Sequence, residues 1–375
     1  MVLPKNLKEI LLYLDNYLIK QINKSRMKKI FTLSLISVLM AASVQAQDMH
    51  FSQYLTSPLN LNPALTGVMN EDIRIGCNYR NQWKSVSAEP YRTISASVDG
   101  TLPPKRKTND FFGLGLVFNS DKAGASQLNI NQANVSLSYN KMLIPSSGGM
   151  LSIGFQAGAG QRSMTYDALT WDRQYNGVRY DPTLSSGESP IGSSLTYLDI
   201  SFGLNWSQRF GKNFRLSTGA SLWHINKPSI SLSKVADDPL YMKIGFNAVG
   251  QYTLPTRPGT SILPSVVFFQ QGTQRLLNVG AAWRYRLVEQ SKYTGWVQET
   301  AIVAGLYYRL QDATFINVRI DYMDFSLGVN YDFNISTLQI ASSSRGGMEL
   351  CLMYKKALLQ KQKYNPKNGL KFVQY

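Results

Sequence analysis

Between residues 324 and 334 apolar and polar side chains alternate without a break. Phe325, Leu327, Val329, Tyr331 and Phe333 fall on one side, and Ser326, Gly328, Asn330, Asp332 and Asn334 on the other. A strand sends successive side chains to opposite faces, so this stretch reads as a strand with one apolar face. The pattern recurs along most of the chain. Leu198/Ile200/Phe202/Leu204/Trp206, Phe112/Leu114/Leu116/Phe118 and Ile316/Val318/Ile320/Tyr322 alternate with small or polar residues such as Ser201, Gly203, Asn205, Gly113, Gly115, Asn317, Arg319 and Asp321. No helices are left over to cover the apolar faces. Such a sheet must curl around a core or turn its apolar face to lipid.

The alternation predicts fourteen strands, near 72–84, 91–99, 111–120, 130–142, 149–163, 198–210, 213–224, 240–252, 260–271, 273–287, 299–310, 313–322, 324–334 and 347–355. An even count, with lengths close to the roughly 9–11 residues that cross a tilted bilayer, predicts an all-β, antiparallel up-and-down transmembrane barrel. If the first strand rises from the periplasm, the long gaps 164–197, 225–239 and 335–346 fall outside, and the tight turns at 211–212 and 323–324 fall inside. The gaps at 100–110 and 288–298 are longer than that rule prefers, and those at 272 and 311–312 shorter. Aromatic residues gather at strand ends (Trp83, Tyr91, Tyr139, Trp206, Phe210, Tyr241, Tyr252, Tyr285, Tyr308, Tyr354), as interfacial girdles require.

Two segments flank the predicted barrel. Residues 27–46 read Met-Lys-Lys, an apolar stretch, then Val44-Gln45-Ala46, which predicts a signal peptide cut between Ala46 and Gln47. Residues 1–26 precede a complete signal and are taken as an upstream extension from a mis-assigned start. Residues 47–71 carry Pro58 and Pro63 and do not alternate. They are expected to form a periplasmic segment or a plug folded into the lumen. The tail 356–375 continues a run that carries six lysines and no acid from 355 onward, and it shares the predicted periplasmic side with Lys105-Arg106-Lys107.

Composition agrees with a membrane barrel. Charged residues are only 17%, against 21 Tyr and 28 Gly. Removing the leader's seven Lys/Arg and two Asp/Glu lowers the net charge from +16 to +11. The basic residues are scattered and no nucleic-acid motif accompanies them, so anionic lipid or an acidic protein is the partner this charge suits. Cys77 and Cys351 fall on opposite faces in the predicted register and are expected to be free thiols.

Chemistry is scarce. His50 and His224 are the only histidines, which argues against a histidine metal cage or an acid–base centre, and no nucleophile elbow appears. His224 is expected at the interface, at a strand end. Arg284, Arg286, Arg319, Asp321 and Glu349 face the lumen in this register and are expected to brace it. No enzyme, cofactor or metal site is expected.

Several motifs follow one another in a specific order. Asp48-Met-His-Phe-Ser-Gln-Tyr precedes a box containing Asn60, Asn62, Pro63, Ala64 and Gly67. Tyr79-Arg80-Asn81-Gln82-Trp83 follows, then Tyr91-Arg-Thr93 and Ser97-Val-Asp99, Gly113-Leu-Gly115, Asp121-Lys-Ala-Gly124, Tyr331-Asp332-Phe-Asn334-Ile-Ser336 and Gly346-Gly-Met-Glu349-Leu350. In this the chain resembles the PorP/SprF family of type IX secretion proteins of Bacteroidetes outer membranes; Met49 stands where Pro is expected. The resemblance implies a non-enzymatic, surface-located outer-membrane component of type IX secretion, in some members tied to gliding motility. It also implies a partner, often a large secreted adhesin, or other secretion components. The Asn-Pro-Ala box would sit at or inside the periplasmic mouth, and Arg80 to Trp83 near the outer rim. An alternative is an outer-membrane channel for hydrophobic solutes similar to the fatty-acid transporters, which share fourteen strands and an N-terminal plug. A membrane-embedded hydrolase is a third class, disfavoured by the dearth of histidine.

Overall fold

A computed structural model describes residues 48–357, apart from 86, 88, 103–109, 125, 166–168, 187–192, 233–237, 289–298 and 338. The expected upstream extension, signal peptide and cleavage point, the basic run 105–107 and the tail from 358 lie outside the described residues. Fourteen strands form one closed barrel in which each pairs antiparallel with its sequence neighbour. They are β1 (Ile73–Gln82), β2 (Tyr91–Leu102), β3 (Phe111–Ala123), β4 (Leu128–Ile144) and β5 (Gly149–Ser163). Next come β6 (Ser194–Phe210), β7 (Phe214–Trp223), β8 (Lys243–Thr253), β9 (Thr260–Gln271) and β10 (Gln274–Val288). The last are β11 (Thr300–Arg309), β12 (Ala313–Tyr322), β13 (Phe325–Asn334) and β14 (Arg345–Lys356).

Closure is made by β1 against β14, with Arg80 directly opposite Glu349 and Cys77 opposite Leu352. No strand edge is left free among these fourteen, which is how a sheet crosses a bilayer with its backbone polar groups paired. Cys77 is exposed on the outer face, Cys351 is buried on the inner one, and both are free.

Burial is inverted relative to a water-soluble protein. On β13 the outward Phe325, Leu327 and Val329 are 51, 54 and 45% exposed, while the inward Ser326, Asn330 and Asp332 are 4, 1 and 2% exposed. An apolar belt outside and a polar, packed interior is the arrangement lipid demands. Among the described residues no helix is long and apolar enough to cross a membrane, so the strands do the crossing.

Most strand limits fall within two residues of the sequence expectation; β2 and β3 each run three residues further, and β6 and β8 differ at their starts. β6 begins at Ser194, because its first residues pair with the end of β5 (Ser163 opposite Ser194, Gly160 opposite Tyr197). That extension breaks the apolar alternation and was invisible to it. β8 begins at Lys243, with 240–242 left to the preceding connection, where Ser229 and Pro239 make an isolated bridge. The two longest connections, 164–193 and 224–242, both lie at one end of the barrel, here the loop end. The other end carries the tight connections 211–213 and 323–324 and is called the turn end.

Residues 48–70 fill the lumen. They fold into a 3-10 turn (Tyr54–Thr56), a single α-turn (Pro58–Leu61) and a second 3-10 turn (Pro63–Leu65). Pro58 and Pro63 each open a turn, where a missing N–H costs nothing. Leu61 and Leu65 pack with Tyr54 against Val249, Leu263, Val267, Ala282, Val303, Tyr307 and Phe315 of the wall. The plug is therefore seated by an apolar patch on one side of the barrel and by polar contacts elsewhere.

Candidate functional site

The plug meets the wall at three polar locks, one at each end of the lumen and one across the closure seam. At the seam, the Glu349 carboxylate accepts the backbone N–H groups of Ser52 (2.6 Å) and Gln53 (2.8 Å). Arg80 donates to the same carboxylate at 2.5 Å and to the Ser52 hydroxyl at 2.9 Å. Ser52 Oγ donates to Asp332 at 2.9 Å and accepts from Arg309 at 2.5 Å. Arg309 also pairs with Asp332 (3.1 Å) and Asp312 (2.9 Å). One serine of the plug thus joins the first strand, the eleventh and the thirteenth, and the amides beside it hold the last. Arg80, Asp332 and Glu349 are each 2% exposed or less. Charges so dry persist only when paired and hydrogen-bonded throughout.

Toward the turn end, Asp99 takes two hydrogen bonds from Arg74, at 2.9 and 2.7 Å, and one from the Gly67 N–H at 2.8 Å. Gly67 has φ of +69°, and a Cβ there would lie 2.8 Å from Gly113 Cα. Its conformation and its closeness to the wall both call for glycine.

The Asn-Pro-Ala box sits between these locks. Asn62 accepts the Ala64 N–H on its own Oδ1 at 2.9 Å and donates to Leu204 O, Ala220 O and Asn247 Oδ1 at 3.0–3.3 Å. Asn60 and Asn119 exchange amide hydrogen bonds at 3.1 and 2.9 Å, and Asn60 also donates to Ser95. Pro63 and Ala64 press against Gly154 and Gly203, where added Cβ atoms would stand 2.3 Å from Ala64 N and 2.0 Å from Asn62 Oδ1. The box therefore lies within the barrel, against interior positions of β5 to β8. Its side chains reach wall carbonyls that only a threaded plug could meet.

The third lock is at the loop end. Asp48 pairs with Lys243 (2.5 Å) and His224 (3.2 Å), and His224 pairs with Asp199 (2.9 Å). His224 is 1% exposed, so its expected place at the membrane interface is corrected: it faces the lumen. One residue past β7, the chain turns through φ of +56° at His224 and carries the ring inward. Burial would lower the His224 pKa, but hydrogen bonds from the ring to Asp199 and Asp48 raise it to about 9. Burial likewise pushes the Asp48 carboxyl up, and Lys243 and His224 outweigh it, holding Asp48 well below the usual range. Because the folded His224 pKa lies above its ordinary value near 6.5, its stabilisation is complete below about pH 6.5 and is lost as pH rises through about 9. We expect protease protection around residues 48–50 to fall between pH 6.5 and 10, and His224→Gln to abolish that pH dependence. The full shift is worth about 3 kcal/mol at most.

The remaining expected residues divide by face. Within Tyr79-Arg80-Asn81-Gln82-Trp83, strand alternation sends Arg80 inward, where Gln82 accepts from its Nε at 3.3 Å. Tyr79 and Asn81 point outward and touch one another at 3.4 Å. Trp83, at φ of +61°, packs edge-on to Tyr91 at 4.7 Å beyond the strand end. Arg284 pairs with Glu299 and reaches Asp321 at 3.8 Å, and Arg319 pairs with Asp321 at 3.0 Å. These lie at the turn end of the lumen, and Arg319 lines one cavity together with Ser52 and Gln53 of the plug. Asp121 accepts from Thr93 at 2.5 Å, and Gly124 (φ +69°) turns β3 into β4. Ser52, Arg74, Asp199, Lys243 and Arg309 were not singled out from the sequence. Charge at an inward strand position was the available signal for the last four; Ser52 had as its signal the Asp48-Met-His-Phe-Ser-Gln-Tyr motif that contains it.

A family model described as type IX secretion system membrane protein PorP/SprF matches residues 43–354. The chain belongs to the PorP/SprF family. The match spans both plug and barrel, so the three locks lie within what the family shares in extent. Fold and family together place the protein among outer-membrane components of type IX secretion. Comparison with curated protein sequences gives no match. Among solved structures, the CymD monoaromatic hydrocarbon channel is 13% identical, with 81% of this chain and 93% of that one covered and a TM-score of 0.47. The Ralstonia pickettii toluene transporter TbuX is 10% identical, with 80% and 93% covered and a TM-score of 0.47. A Pseudomonas aeruginosa FadL homologue is 10% identical, with 78% and 92% covered and a TM-score of 0.41. Likenesses this distant say nothing of what the present barrel binds.

Proposed function

We propose that the protein is a non-enzymatic scaffold of the type IX secretion machine that assists export or surface anchoring of a partner adhesin through its loop end. The occupied lumen carries this reading. Residues 48–70 seat against the wall, and two cavities beside them, about 20 and 30 Å³, hold little more than a water each. A barrel so filled offers a partner its rim and loops. The long connections 164–193 and 224–242 enlarge that surface, and the loop end then faces outward. The same filling weighs against the alternative of a channel for hydrophobic solutes.

The test is native-membrane co-purification with the full chain and with a variant whose 169–184 segment is replaced by a short Gly-Ser link. The scaffold reading expects a secreted surface protein with the full chain and at least a tenfold loss with the variant. Recovery of no surface protein and no secretion component would sink it, and uptake of an apolar solute lost on gene deletion would favour the channel.

A further inference from the structure

Lumen-facing arginines named here have carboxylate partners, except for two. Arg74 has Asp99, Arg80 has Glu349 and Asp332, Arg162 has Asp238, Arg284 and Arg286 have Glu299, Arg309 has Asp332 and Arg319 has Asp321. Arg209 and Arg215 have none among the described residues. They stand directly opposite one another across β6 and β7, on inward positions flanking the turn 211–213. Like charges placed opposite in a ladder destabilise it. Among the described residues the Arg209 side chain donates to the Ser146 carbonyl, at 3.3 Å, and Arg215 Nε is buried without an acceptor. Both side chains are half-buried, so they are partly dried yet reachable from water, and Lys212 in the turn is exposed.

We propose that Arg209 and Arg215 form an anion site at the turn end of the lumen that takes a phosphate group. Two guanidinium forks facing one another present more donors than a single carboxylate can accept, and a phosphate with three free oxygens engages both. Binding would replace the cross-strand repulsion with charge-assisted hydrogen bonds. The neighbouring Phe210 and Phe214, with ring centres 6.1 Å apart, lie on the outward side of the same turn. Aromatic rings favour the headgroup layer, which puts the site at the height of lipid phosphates. A lipid headgroup and a soluble phosphate ester therefore share the chemistry this site would recognise.

The experiment uses the purified barrel in detergent at fixed ionic strength, titrated separately with inorganic phosphate and with short-chain phosphatidic acid by calorimetry. Wild type is expected to bind at one site, with affinity at least tenfold weaker in Arg209→Gln and Arg215→Gln and unchanged in Arg275→Gln at the loop end. Binding of phosphatidic acid alone assigns the headgroup, and binding of inorganic phosphate assigns a soluble source. No binding of either, or an equal loss in Arg275→Gln, overturns the proposal. Unaltered heat-modifiable migration of both variants shows that the barrel wall has formed.

Discussion

Glu349→Ala should destabilise the barrel by about 3–5 kcal/mol, the usual cost of removing one partner from a buried charge network. Three groups lose their acceptor at once: the Ser52 and Gln53 amides and the Arg80 guanidinium, which is left with Asp332 as its carboxylate partner. The change falls on the pair that closes the barrel, since Arg80 and Glu349 are direct partners across β1 and β14. Both halves of the prediction can be read separately. Urea titration followed by heat-modifiable migration should show the lowered midpoint, and limited proteolysis should cut within 48–56 in the variant alone. Glu349→Gln keeps the shape and removes the charge, so it should lose less than alanine yet still leave Arg80 short of a counter-charge.

The second large effect comes from filling the space the plug runs through. Gly113 and Gly154 line the lumen, and a Cβ at either would stand 2.2–2.3 Å from plug backbone, at Thr66 O or at Ala64 N and Pro63 C. Backbone cannot swing aside as a long side chain can, so the plug itself must move. A Gly113→Val/Gly154→Val variant should keep a folded wall, whose outward apolar belt is untouched, while residues 57–67 leave their seats. Overpacking of this kind costs about 1–3 kcal/mol per site. In planar bilayers the variant should conduct ions where the native barrel stays closed. A variant that is silent and fully protease-resistant would show that the lumen has room the structure denies it.

The wall was legible in the sequence because lipid imposes one rule on every strand. Phe325 to Phe333 alternate with Ser326 to Asn334, and the same rule repeated along the chain yields the strand count and the closed order. The plug was legible only as an absence of alternation around Pro58 and Pro63. Nothing local says that Asn62 reaches Leu204, Ala220 and Asn247, or that Ser52 meets Glu349 almost three hundred residues later. These partners are set by barrel closure, which brings the ends of the chain together. His224 shows the same limit. Its position beside Trp223 at a strand end suggested the interface, and a single left-handed residue turned it to the lumen instead. Glu349 and Arg319 were placed inward by alternation alone. The choice of partner, Ser52 and Gln53 for one and Asp321 for the other, required the fold.

That residues 48–70 thread the lumen of the native barrel is tested most directly by one crosslink. Thr66 Oγ1 and Ser136 Oγ are 2.6 Å apart, one on the plug and one on the wall. With Cys77 and Cys351 replaced by alanine, a Thr66→Cys/Ser136→Cys variant should oxidise in intact cells to a disulfide found by peptide mapping. Two free thiols, both alkylated from bulk water by a bulky maleimide, would contradict the account.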